Sequence, residues 1–147
     1  MSKFDLKKID AIEGKQRFYQ LTIDDAPDYT NLLPGETEND RKTGVLDEYE
    51  LNLETKDKKD LVSIYAYMER IANNQHVDGT KYHTLGRPSN DPYTDFEFKK
   101  GKLRVYGIQT PEGKVIVLGG FKKKEDANIR RLRSLKQQYF DSLRKPK

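Results

Sequence analysis

The feature that most constrains the fold is a run of alternating strand and turn signals between Tyr93 and Phe121. Tyr93 to Phe98 alternates, with Phe96 and Phe98 on one face. Lys100-Gly101 reads as a hairpin turn, and Lys102 to Gln109 as the returning strand. Thr110-Pro111-Glu112-Gly113 is a second turn signal. The strand that follows, Lys114 to Gly120, contains Val115, Ile116, Val117 and Leu118 without interruption. A short, wholly apolar run bounded by turns predicts a central strand buried on both faces. Three consecutive strands with tight turns therefore make a meander.

Helical periodicity flanks this meander. Leu61, Ile64, Tyr65, Met68, Ile71 and Ala72 form one apolar stripe, which predicts a helix over Asp57 to Asn74 with Asp57 as its N-cap. A second helix is expected from about Glu125 to Leu143. Its stripe is Ile129, Leu132, Leu135, Tyr139 and Leu143, and Arg130, Arg131, Arg133, Lys136 and Arg144 fill much of the rest. Leu46, Tyr49 and Leu53 permit a short helix. Further upstream, Arg17 to Ile23 alternates as a strand, and Phe4 to Ile12 is open between strand and helix. Asp24 to Gly44, with two prolines and many acids, reads as a long polar loop. Gln75 to Asp91 reads as polar and irregular. The fold class expected is α+β: a small antiparallel sheet, made of the C-terminal meander plus an N-terminal strand or hairpin, packed with two or three helices. The 147 residues suit one domain, with 1–45 as an N-terminal extension and 46–147 as the core.

Charge is unevenly placed. The chain is +4 overall, but residues 1–98 hold 13 Lys and Arg against 20 Asp and Glu, and residues 99–147 hold 15 against 4. Such asymmetry points to a polyanionic partner for the C-terminal third. A solvated basic helix with an acidic counterweight is the plainer alternative. Cysteine is absent, which favours a reducing compartment and excludes thiolate chemistry and Cys-based zinc sites. No apolar run approaches the roughly 20 residues of a membrane span. Met1 to Asp10 lacks the apolar core of a signal peptide. A cytoplasmic protein with no membrane partner is expected.

Hairpin geometry locates the cations. A turn at Lys100-Gly101 places Glu97 opposite Arg104 as an ion pair. The second turn puts Arg104 beside Gly119 to Phe121, with two glycines leaving open space over the sheet. Lys122, Lys123 and Lys124 follow directly, so Arg104 and the start of the lysine triplet gather at one end of the meander. Arginine offers a planar fork to phosphate oxygens and lysine a mobile point charge. Tyr93, Tyr106, Phe121 and Tyr139 are the aromatics nearby. Aromatic faces among cations suit stacked, unpaired bases; equally, these rings belong to a core, and for Phe96, Phe98 and Phe121 the core is the better reading.

Other chemistries find no support. His76 and His83 are the only histidines and stand seven apart, without carboxylates in a metal-ligand pattern. No phosphate-binding glycine loop, dinucleotide fingerprint or nucleophile elbow is present. The acids of residues 24–60 do not match a calcium loop. Neither a metal nor a cofactor is expected.

The run Leu-Arg-Val-Tyr-Gly-Ile, a Pro-Glu-Gly turn, Val-Ile-Val-Leu-Gly-Gly-Phe and then Lys-Lys-Lys resembles RelE/HigB-like toxins of bacterial type II toxin–antitoxin modules. The resemblance covers residues 57–143. It implies a small antiparallel sheet with helices packed on it, and cleavage of mRNA on the ribosome without metal, by attack of a 2′-hydroxyl on the adjacent phosphate. That reaction needs a base, a cationic clamp and an acid for the leaving oxygen. By the same resemblance Arg104 clamps phosphate, and Lys122 and Lys124 supply a base or a further clamp. Tyr139 stands for the family's C-terminal tyrosine, although its helix face points to the core, and His83 offers an acid or base. Lys102, Tyr106, Lys123, Arg130, Arg131 and Arg133 are the candidate RNA-binding residues. The partners implied are RNA, the ribosome and a cognate antitoxin with an acidic or amphipathic segment. The alternative is a non-catalytic module of the same fold that binds nucleic acid or protein for a mobile element.

Overall fold

A computed structural model describes residues 4–23, 27–86 and 93–144. It is an α+β structure built on one mixed six-stranded sheet. The strands are β1 (Leu6–Lys8), β2 (Phe18–Leu21), β3 (Tyr82–Gly86), β4 (Asp95–Lys100), β5 (Leu103–Thr110) and β6 (Gly113–Phe121). The helices are α1 (Glu38–Arg41), α2 (Val45–Leu51), α3 (Thr55–Ala72) and α4 (Glu125–Arg144). The sheet order is β1-β2-β6-β5-β4-β3. The expected meander is present over β4, β5 and β6, and the N-terminal hairpin β1–β2 joins it by a parallel pairing of β2 with β6. That parallel pair makes the sheet mixed rather than antiparallel. After β2 the chain leaves the sheet through α1, α2 and α3, re-enters at the far edge as β3, and comes back through β4 and β5 to place β6 beside β2.

Strand alternation divides the core into two clusters. Phe18, Phe96, Phe98, Leu103, Val105 and Ile116 face α3, whose Leu61, Ile64, Met68 and Ala72 are all buried. Tyr106, Ile108, Val115 and Val117 face α4, which contributes Leu132, Tyr139 and Phe140. Val115, Ile116 and Val117 are fully buried between helices on opposite sides, as expected of a central strand. A bulge between Tyr106 and Gly107 shifts the β5–β6 register, and the Phe96 ring packs where a Gly107 Cβ would stand.

Several local expectations are corrected. The polar segment 75–91 contains β3, an edge strand paired with β4; residues 87–91 of it lie outside the described residues. Within the acidic loop 24–44, Thr37 and Asp40 form a capping box that nucleates α1, a single helical turn. The N-cap of α3 is Glu54, not Asp57; Asp57 is buried in the first turn and pairs with Lys102 Nζ at 3.3 Å. On α4, Leu143 is exposed, whereas Lys136 is buried and faces the sheet. Lys136 Nζ reaches Asp95 Oδ1 at 2.6 Å, so a charge on β4 draws a lysine into the helix's inward face.

The two glycines of β6 do not leave open space. A Cβ on Gly119 would stand 2.4 Å from the Tyr49 ring, and one on Gly120 would stand 2.5 Å from the Asn128 amide. They admit neighbours closely instead. Tyr49 donates its hydroxyl to Gly120 O at 2.7 Å, which ties α2 to β6.

Candidate active site

The β4–β5 turn lies one residue later than the sequence suggests, at Gly101-Lys102, with Gly101 at φ 56°. A positive φ of this kind costs glycine little. The register is therefore Lys99↔Arg104 and Glu97↔Tyr106. The expected Glu97–Arg104 pairing is displaced by two residues, which keeps both side chains on the same sheet face because the strand period is two. They meet diagonally, with Arg104 Nε 3.9 Å from Glu97 Oε2.

Two adjacent rungs result on the face toward α4. The outer rung holds Lys99, Arg104 and Gly120 as direct partners, and Lys99 N donates to Lys81 O at 2.8 Å. The inner rung holds His83, Glu97, Tyr106 and Leu118. Cations thus line the outer rung, and titratable acid–base groups the inner one. Rungs two residues apart along a strand are about 7 Å apart.

The inner rung is desolvated. Glu97 is 1% exposed and Tyr106 0%. His83 Nε2 lies 3.2 Å from Glu97 Oε1, and its side chain keeps 35% of its surface open to solvent. Glu97 Oε2 and the Tyr106 hydroxyl are buried without a hydrogen-bond partner of good geometry among the described residues. Burial pushes the Glu97 carboxyl up to about 7, and the neighbouring Glu125 carboxylate, from the first turn of α4, adds to the shift. Glu125 moves the other way: sharing a hydrogen bond with Glu97 and facing Arg104, it is held below the usual carboxylate range. A protonated Glu97 beside an ionised Glu125 is the arrangement these directions describe. The Tyr106 hydroxyl is raised above its ordinary value by burial.

Arg104 is held firmly. Its Nη1 donates to Gly101 O at 2.8 Å and Leu103 O at 2.7 Å, and its Nε faces Glu125 Oε2 at 3.4 Å. The guanidinium also lines an open pocket of about 230 Å³ with Tyr67, Thr80, Lys81, Lys99, Lys100 and Gly101.

The lysine triplet does arrive at this end of the sheet. Lys122 N donates to Lys102 O at 2.9 Å, and Lys122, Lys123 and Lys124 stand exposed on a single 3-10 turn between β6 and α4. Lys102 pairs with Asp57 and holds its ammonium 5.9 Å from the Phe121 ring centre. Arg130 and Arg131 are exposed on α4, while Arg133 is tied to Asp95 at 3.3 Å.

Two candidates are not brought to a reachable surface. Tyr139 is buried against Phe4 and Phe140 in the α4 core, its hydroxyl pushed up to about 12 by burial. Tyr106 lies within the inner rung but is fully covered, so it offers no face for a stacked base. The structure instead adds Glu97, Glu125, Lys81, Lys99 and Lys100. Glu97 between Phe96 and Phe98 has the pattern of a solvent-facing strand position; only the docking of α4 buries it. No family model, curated protein or solved structure matches this chain.

Proposed function

We propose that the protein is a RelE-like endoribonuclease that cuts mRNA on the ribosome by 2′-hydroxyl attack on the neighbouring phosphate. The observation that carries the reading is the acid–base rung of His83 and Glu97 lying directly beside the cationic rung of Lys99 and Arg104. His83, the acid–base group of the inner rung that keeps solvent access, takes the proton of the 2′-hydroxyl. The 2′-oxygen bonds to phosphorus, the bond from phosphorus to the 5′-oxygen breaks, and the proton taken up by His83 passes to the leaving 5′-oxygen. The products are a 2′,3′-cyclic phosphate and a 5′-hydroxyl. Buried Glu97, 3.2 Å from His83 Nε2, orients the imidazole and offsets the charge it gains. Arg104 and Lys99 hold the charge that builds on the phosphoryl oxygens, in a site where burial strengthens each interaction. Side chains fill every role, which makes the reaction metal-independent. Lys102 and the triplet Lys122 to Lys124 hold the RNA backbone, with Arg130 and Arg131 beyond them. The same basic end is where an acidic antitoxin segment docks.

A second reading is a binding module of similar fold that does not cut. The saturation of Arg104 by Glu125 and two carbonyls favours it, because a clamp so occupied has to be released before it takes phosphate.

Induced expression in a bacterial host, with growth followed and mRNA 5′ ends mapped by primer extension, separates the two. Growth arrest and new cuts in translated messages are expected for wild type. Both should disappear in Glu97→Gln and Arg104→Ala, each checked by thermal melting for a folded protein. Normal growth with intact messages in wild type would overturn the ribonuclease reading.

A further inference from the structure

The pocket beside the cationic rung shares Lys99 and Arg104 with the reaction described above, and its other residues take no part in that reaction. It lies where the β4–β5 hairpin turns, and β3 and α3 supply its other walls: Thr80 and Lys81 precede β3, and Tyr67 comes from α3. Its lining holds Lys81, Lys99, Lys100 and Arg104, and no carboxylate. Glu97 and Glu125 stand behind Arg104 and offset its charge, which leaves Lys81, Lys99 and Lys100. Asp78 accepts hydrogen bonds from Thr80 N and Oγ1, and Asp60 approaches the backbone at Gly101. Among the described residues neither Lys99 nor Lys100 forms an ion pair, and the Lys81 ammonium sits over the Tyr67 ring at 5.6 Å. Holding several like charges around one cavity is costly unless an anion offsets them. A volume of about 230 Å³ is below the roughly 300–1,000 Å³ typical of sites for drug-sized ligands, and fits one phosphate with part of its sugar.

We infer that this pocket is a second phosphate subsite, in which Lys81 and Lys100 bind the phosphate next to the one clamped by Arg104. As a subsite for RNA it rests on the ribonuclease reading; as a phosphate site it stands without it. Lys81 is held in position by the Tyr67 face, a cation–π contact. Lys100, at the end of β4, lines the same pocket. The chemistry recognised is a phosphate ester, whether it belongs to an RNA strand or to a free nucleotide.

The test uses the full chain and two probes: a short RNA with every ribose 2′-O-methylated, which cannot be cut, and inorganic pyrophosphate. RNA binding is followed by fluorescence anisotropy across a salt series, and pyrophosphate binding by calorimetry. Lys81→Gln with Lys100→Gln is compared with Lys56→Gln with Lys58→Gln, a pair on exposed α3 positions that removes the same charge. The expected result for the pocket pair is a fall of about 0.7 in the salt slope for each phosphate that is no longer neutralised, with RNA affinity down about tenfold at low salt. The control pair should keep the wild-type slope. Pyrophosphate binding should be abolished by the pocket pair only. Wild type that binds pyrophosphate there but neither binds nor cuts RNA would retain the subsite for free phosphate esters and remove the ribonuclease reading. Wild type that cuts RNA while the pocket pair behaves as the control pair does would overturn the subsite and leave the ribonuclease reading standing.

Discussion

Glu97 carries the most chemistry of any single residue in the molecule. Its carboxyl is buried under α4, and its pKa of about 7 stands well above the ordinary 4.5. Between those values the folded protein holds a proton that the unfolded chain has released, so stability falls as pH rises through that window. Below about 4.5 both states are protonated and the group's contribution is fully present. Glu125, held low, acts in the opposite sense and its contribution fades on acidification. Melting temperatures measured from about pH 4 to about pH 8 should therefore decline on the neutral side in wild type and flatten there in Glu97→Gln. Equal slopes in the two proteins would refute the assignment. Glu97 was visible in the sequence only as an ion-pair partner for Arg104. Its acid–base character depends on desolvation, which no spacing of residues reveals.

At the scale of elements, α4 closes the sheet through a buried ion pair as well as through apolar packing. Asp95 is fully buried on β4, with Lys136 at 2.6 Å and Arg133 at 3.3 Å. Removing one partner of such a pair strands the other charge, at a cost of about 3–5 kcal/mol, whereas replacing both with apolar groups is often neutral. Lys136→Met should thus destabilise the fold by about 3 kcal/mol or more, and Asp95→Leu with Lys136→Met by much less, as read from urea unfolding. Additive losses in the double variant would show that the pair is not coupled. The stripe of α4 was legible from Leu132, Leu135 and Tyr139, but the inward turn of Lys136 was not. A lysine at helical spacing looks solvated until a buried aspartate across the sheet accounts for it.

On the scale of the whole molecule, the charge asymmetry of the chain becomes an asymmetric surface. Lys102, Lys122, Lys123 and Lys124 meet at one end of the sheet, next to the pocket of Lys81, Lys99 and Lys100. The RNA binding proposed for that end would release counterions, so its affinity should fall steeply with salt. Changing Lys122, Lys123 and Lys124 to Gln together should lower the salt slope by about 2, at roughly 0.7 per phosphate neutralised, while leaving melting temperature nearly unchanged. An unaltered slope would place the RNA path elsewhere. No described helix is long and apolar enough to cross a membrane.

Local patterning along the chain was enough to specify the meander, the two long helices and the gathering of Arg104 with the lysine triplet. These rest on periodicity and turn chemistry, which act over a few residues. Tertiary packing was needed for the parallel β2–β6 pairing, the edge strand β3 that brings His83 to Glu97, and the burial of Glu97 and Lys136 between the sheet and α4. Each of these depends on segments far apart in the chain coming together. Alternation and helical spacing say which face a side chain takes, and only packing says whether that face meets water or another layer.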